Sequence, residues 1–248
     1  MADAVQLTRP LPGVACLCME DRAGSNTFTQ ALVCGLVDTL REVGQDADTR
    51  VVVLHGYGSV FCAGGTLEEL VDIADGRRSF DEGEFYRLLL DCPLPVISAM
   101  QGHAMGGGLV FGLYADLAVW SRESLYGANF MKYGFTPGMG ATELLPRKLG
   151  TALAAELLFT ARAYHGQALA ERGLPFPVLP RAEVIPHALG LARDLADKPR
   201  TALVRLKEAL AAPLKAALPA AVARERAMHA ETFAEVGIRQ RIQQRYGN

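Results

Sequence analysis

The chain has 248 residues, 50% of them apolar and 21% charged, and its 25 Lys+Arg against 27 Asp+Glu leave a formal charge of −2. Such a chain buries a core without disulfides or metal as props. The charge balance excludes a nucleic-acid partner gripped by a broad basic face, and it excludes a polybasic membrane anchor.

No apolar run reaches the roughly 18 residues that span a bilayer. The opening Met-Ala-Asp-Ala-Val lacks the basic and apolar regions of a signal peptide, so a cytoplasmic location is expected. Cys16, Cys18, Cys34, Cys62 and Cys92 lie in apolar segments, which predicts buried, reduced thiols. The 25 glycines are about a tenth of the chain, against a usual share near 7%.

Along the chain, Val14 to Met19 reads as a strand, and Thr27 to Val43 as an amphipathic helix with Leu32, Leu36 and Leu40 at four-residue steps. Arg50 to His55, Leu94 to Met100 and Asp116 to Trp120 are short β-branched or apolar runs of the kind covered on both faces. Between the first two, a helical stretch from Leu67 to Ala74 precedes polar residues, and Asp72 to Glu84 as a whole reads as a mobile surface loop. From Thr151 onward the chain turns Ala/Leu-rich, with stripes at Leu153, Leu157, Leu158 and at Leu203, Leu206, Leu210. Pro213 and Pro219 fall where helices would begin. The class is α/β with a helical C-terminal layer.

Two glycine clusters can carry chemistry. Val60-Phe-Cys-Ala-Gly-Gly-Thr66 follows a strand and precedes a helix, and Gln101-Gly-His-Ala-Met-Gly-Gly-Gly-Leu109 does the same. Glycines that open a helix leave outward-pointing N–H groups, and two such sites can supply a pair of donors to one oxyanion. Tight turns with close helix–strand packing are the other reading, and both stay open on spacing alone.

There is no Gly-x-Gly-x-x-Gly, no Walker lysine, no Gly-x-Ser-x-Gly elbow and no metal-type spacing of Cys or His. Among the histidines, His55 closes a buried strand, and His165 and His187 sit in polar surroundings. His103 beside the triple glycine either lines a site or caps a turn. His229 falls on the apolar side of a helical run from Ala221 to Val236, seven after Val222 and four before Phe233, as a core residue or as a general acid.

In order and spacing these clusters resemble the crotonase (enoyl-CoA hydratase/isomerase) superfamily. Phe61-Cys-Ala-Gly-Gly65 is similar to the segment that supplies the first oxyanion donor, at Gly65. Gly102-His-Ala-Met-Gly-Gly-Gly108 is similar to the second, at Gly107, and Tyr133-Gly-Phe-Thr-Pro-Gly-Met-Gly140 carries the family's Gly-x-x-Pro-Gly turn. The resemblance implies a spiral core of ββα units over residues 1–195. Residues 196–248 then form a helical trimerisation region of the same functional domain, in a homotrimer or hexamer. A hydratase of this family carries two glutamates, and at their positions stand Val110 and Phe130.

Met100 to Gly108, Leu113 to Asp116, Asn129 to Pro137, Ala170 to Pro177 and His229 resemble the decarboxylases of polyketide β-branching cassettes. That branch implies removal of CO2 from a 3-methylglutaconyl group, with no cofactor beyond the phosphopantetheine arm of the acyl carrier protein that bears it. His229 would return the proton. Val110, Phe130, Lys132 and His103 would border the pocket. Some relatives place a lysine after the first oxyanion segment; here Gly65 to Arg78 has none, which leaves Lys132 as a substitute cation. Enoyl-thioester isomerisation, or a non-catalytic thioester-binding scaffold, are the alternatives.

Overall fold

The computed structural model describes residues 4–78 and 82–246. β1 (Val5–Leu11) turns at Gly13 to pair antiparallel with β2 (Val14–Met19). α1 (Gln30–Gln45) starts at Thr29, whose hydroxyl accepts from the Leu32 N–H, and buries Leu32, Leu36, Leu40 and Val43.

Three units of one plan follow, each a long strand, a short strand and a helix. The first is β3 (Val51–His55), β4 (Val60–Cys62) and α2 (Leu67–Ala74). A 3-10 turn (Glu82–Arg87) and α3 (Leu88–Asp91) lead into β5 (Val96–Met100), β6 (His103–Met105) and α4 (Gly107–Leu113). The third unit is β7 (Leu117–Ser121), β8 (Leu125–Gly127) and α5 (Phe130–Tyr133). Then come α6 (Ala141–Leu149), α7 (Thr151–Thr160), β9 (Ala163–His165), α8 (Gly166–Glu171), β10 (Val178–Leu179), α9 (Arg181–Ala196), α10 (Arg200–Thr232) and α11 (Ile238–Arg245).

The long strands form one sheet, in the order β1-β2-β3-β5-β7-β10, parallel except for β1. The short strands form a second, β4-β6-β8-β9. This is the ββα spiral that the resemblance implies.

The β-branched runs are buried on both faces. Val14, Cys16, Val51, Val53, Ile97, Ala99 and Val119 meet Val184, Ala188, Ala192 and Ala196, a small-residue stripe at four-residue steps on α9. Alternate residues, such as Leu17, Leu54, Met100 and Trp120, join the main cluster. That cluster also takes in Ala211, Leu214, Leu218, Ile238 and Ile242 of the C-terminal helices, so α10 and α11 share the core.

Four expectations need correction. α10 runs unbroken through Pro213 and Pro219 for 33 residues. Its buried face, Leu203, Lys207, Ala211, Leu214, Leu218, Ala221 and Glu225, spans both prolines, and that packing offsets each missing N–H. Leu206 and Leu210 are exposed; the inward place next to Leu203 goes to Lys207, whose Nζ donates to the Leu89 and Leu94 carbonyls and pairs with Asp116 at 2.9 Å. The stretch expected as loop is helical to Ala74 and again from Glu82, while 79–81 lie outside the described residues. All five cysteines are free, but Cys34 is exposed, on the side of α1 away from its leucines, and Cys18 is half-buried. Among the described residues no helix is long and apolar enough to cross a membrane.

Candidate active site

Because each unit ends by turning from its short strand into a helix, the starts of α2, α4 and α5 are brought together. Gly64, Gly65, Gly106, Gly107, Asn129 and Phe130 all line one cavity of about 510 Å³, counting the space open to solvent. The rest of its wall is largely aromatic or apolar, with Phe28, Phe85, Phe135 and Met139. Helix starts carry partial positive charge, so an anionic oxygen is favoured there over one in an ordinary apolar pocket.

The first loop turns at Gly64, whose φ of +90° suits glycine. Its carbonyl accepts from the Phe28 N–H at 2.8 Å, and Thr66 caps α2 by accepting from the Glu69 N–H at 3.0 Å. The second loop turns at Gly106, φ +52°, whose N–H donates to the Gly127 carbonyl at 2.7 Å. The loops touch: a Cβ on Gly64 would lie 2.8 Å from the Met105 carbonyl oxygen and 3.3 Å from the Gly107 nitrogen. Among the described residues, no hydrogen bond takes up the N–H of Gly65 or of Gly107. Both residues belong to the cavity lining.

The Gly134-Phe-Thr-Pro-Gly turn delivers Phe135 and Met139 to the same cavity. It is anchored from α10 by buried Glu225, which accepts from the Gly140 N–H (2.7 Å), the Thr142 N–H (2.8 Å) and the Thr142 hydroxyl (2.6 Å). This carboxylate caps the start of α6, although burial pushes its pKa up.

Of the residues expected at the site, the structure brings together Gly65, Gly107 and Phe130. Val110 is fully buried on α4 and lies outside the cavity lining, because its helix packs into the core there. His103 opens β6, and its Nδ1 accepts from the Leu125 N–H at 2.8 Å, pinning β6 to β8. Burial and nearby Arg181 lower its pKa, and it lies outside the cavity lining. Lys132 lies outside the lining, its Nζ 5.9 Å from the Tyr133 ring centre.

His229 borders a neighbouring cleft, with Ile73, Gly76, Arg78 and Arg226. Its Nε2 lies 2.9 Å from the Thr136 carbonyl, which can only accept, so that nitrogen carries the proton. Burial lowers its pKa. Phe233, edge-on to His229, stacks on Phe135 at 4.8 Å, and this pair divides the cleft from the cavity.

Glu69, Asn129, Tyr133 and Tyr246 line the cavity and were not singled out from the sequence. The Thr66-x-x-Glu69 spacing marks a helix start and was the available signal for Glu69. Tyr246 donates its hydroxyl to the Gly65 carbonyl at 2.9 Å across 181 residues of sequence, which no local pattern can reveal.

The profile of the enoyl-CoA hydratase/isomerase family matches residues 11–246. The chain belongs to this family. Within it, the chain is 50% identical over 230 residues to the bacillaene synthase decarboxylase PksI of Bacillus subtilis (strain 168), covering 93% of this chain and 92% of that one. A solved chain from work on a dehydratase/decarboxylase enzyme couple involved in polyketide β-branching superposes with a TM-score of 0.97. It is 47% identical over 99% of this family member and 100% of its own length. The ECH2 decarboxylase domain of CurF from Lyngbya majuscula follows with a TM-score of 0.95 and 43% identity, over 98% of this chain and 100% of that domain. This enoyl-CoA hydratase/isomerase family member therefore stands with the decarboxylases of polyketide β-branching, and the isomerase and scaffold alternatives are not favoured.

Proposed function

We propose that this decarboxylase acts on a 3-methylglutaconyl thioester carried on the phosphopantetheine arm of an acyl carrier protein, leaving a methylcrotonyl-type thioester. The observation that carries the reading is the apolar cavity with two glycine N–H groups at helix starts and Phe130 in its wall, with Val110 buried in the core, at the two positions where a hydratase of the family carries glutamates.

The chemistry follows from that environment. The bond between the distal carboxylate and its methylene carbon breaks, CO2 departs, and the electron pair moves through the double bond to the thioester oxygen. Gly65 and Gly107 receive that oxyanion; one such donor is typically worth about 3–4 kcal/mol of barrier. Phe28, Phe85, Phe130 and Phe135 exclude water, which raises the energy of the carboxylate relative to neutral CO2.

A proton must then return to carbon. His229 is the proposed donor, reaching the dienolate when Phe233 moves off Phe135. Glu69, in its protonated form, is a second reading, because among the described residues it is the carboxyl group already in the lining. If His229 donates, His229→Ala lowers turnover about a hundredfold and Glu69→Gln only a few-fold; the reverse order assigns the proton to Glu69.

The reaction itself is tested by intact-mass measurement of the loaded carrier protein, which should lose the mass of one CO2. An unchanged mass with authenticated substrate overturns it. For the assembly, a homotrimer or hexamer is proposed. Phe159, 81% exposed, and Leu206 and Leu210, 58% and 71% exposed, are apolar surface for subunits to cover. Sedimentation as a monomer at micromolar concentration refutes it.

A further inference from the structure

We infer that the outer face of α11 is the docking surface for an acidic face of the carrier protein that delivers the thioester. The inference rests on the carrier-borne substrate proposed above. Residues 236–248 hold three arginines and no Asp or Glu, in a chain whose formal charge is −2. This stretch is therefore locally basic in a chain of near-balanced charge, and it carries Tyr246 of the cavity wall.

α11 packs Ile238 and Ile242 inward, one turn apart, and adjoins α2 and α5, whose first residues form two sides of the cavity. Tyr246, the residue after α11, enters the cavity wall and holds the Gly65 carbonyl. The rest of α11 is exposed and wholly polar, with Arg239, Arg241 and Arg245 among glutamines.

Two of these cations lie against α5, whose Phe130 and Tyr133 form part of the cavity wall. The Arg245 guanidinium donates to the Lys132 carbonyl at 2.7 Å, and the Arg241 side chain crosses Gly134 at the end of α5. Arg239 meets Asp75, at the end of α2, at 3.6 Å. With its isoleucines already buried, α11 offers a partner positive charge instead of apolar area. Its fit is to a carboxylate-bearing surface seated beside the wall that Tyr246 forms.

The experiment compares one acyl group on two carriers: 3-methylglutaconyl on the intact carrier protein and on free pantetheine. The variant is Arg239→Glu with Arg241→Glu, and its control is Arg239→Lys with Arg241→Lys. The charge reversal should raise KM for the carrier-borne substrate on the order of tenfold and remove the salt dependence of the wild type, with pantetheine kinetics within about twofold. The lysine control should restore carrier KM.

Equal losses on both substrates would mean that the arginines shape the cavity, and would overturn the docking assignment. An unchanged carrier KM would overturn it too. A wild type inert on both substrates refutes the decarboxylation reading and removes the basis for docking. A wild type active on pantetheine alone rejects the carrier as partner while leaving the chemistry standing.

Discussion

The two loops that offer N–H groups to the cavity look alike in sequence and differ in how much room surrounds them. In the second loop every glycine is crowded. A Cβ on Gly108 would fall on the Cys62 carbonyl, 2.7 Å from its carbon, and one on Gly107 would lie 2.8 Å from Met139 Sδ and 2.9 Å from the Phe28 ring. In the first loop Gly64 is confined by its φ and by the Met105 carbonyl, but a Cβ on Gly65 would meet nothing closer than 3.5 Å, at Glu69 and Leu70. The second loop is thus a packing device that also presents a donor. The first presents its donor from an open position, held on one side by a distant tyrosine. Similar glycines serve two different physical needs.

Four substitutions grade that difference. Gly108→Ala presses side chain against backbone that cannot retreat, so it should cost about 3 kcal/mol or more and leave little soluble protein, read by expression and thermal melting. Gly107→Ala meets a flexible methionine and a ring edge. It should fold at a cost of about 1–3 kcal/mol, while displacement of the donor lowers turnover roughly a hundredfold in the mass assay. Tyr246→Phe frees the Gly65 carbonyl, at about 1 kcal/mol by melting and roughly tenfold in turnover. Gly65→Ala should be nearly silent, within about 0.5 kcal/mol and a few-fold in rate. Should Gly65→Ala prove as damaging as Gly107→Ala, the distinction between the loops is wrong.

The loops differ from their surroundings in pH response as well. Neither donor titrates, whereas His229 and His103 are held below the ordinary histidine pKa by burial. Near pH 6 the unfolded chain then binds more protons than the folded one. Stability should fall as pH drops through about 6.5, and His229→Gln should flatten that slope in melting curves taken across the range.

Legibility in the sequence followed sequence distance and element length. β3, β5 and β7 stood out because burial on both faces makes an apolar run without alternation. β4, β6 and β8, three residues each, are too short to show a period; they exist because the paired sheets hold them. Gly65 and Gly107, the proposed donors, were readable as members of one site because their glycine clusters are contiguous. His229 was readable as a helix-face histidine, but its neighbours across space, Thr136 and Phe233 against Phe135, decide which cavity it borders. Lys207 and Glu225 carry no local signal of burial in the sequence. They are buried because each meets several backbone partners that only the folded chain assembles.

The convergence of three helix starts on one point has a consequence for how such a molecule can change. Those three sides are built from backbone that the two sheets lock, so the oxyanion cradle proposed for them would survive most side-chain turnover. Among the side chains that complete the wall, beside Phe28, Phe85, Phe135 and Met139, Tyr246 arrives from the tail that follows α11. Substitutions in that tail can retune which acyl group fits, or which protein delivers it, without disturbing the donors. Novelty in this architecture is cheapest at its last dozen residues.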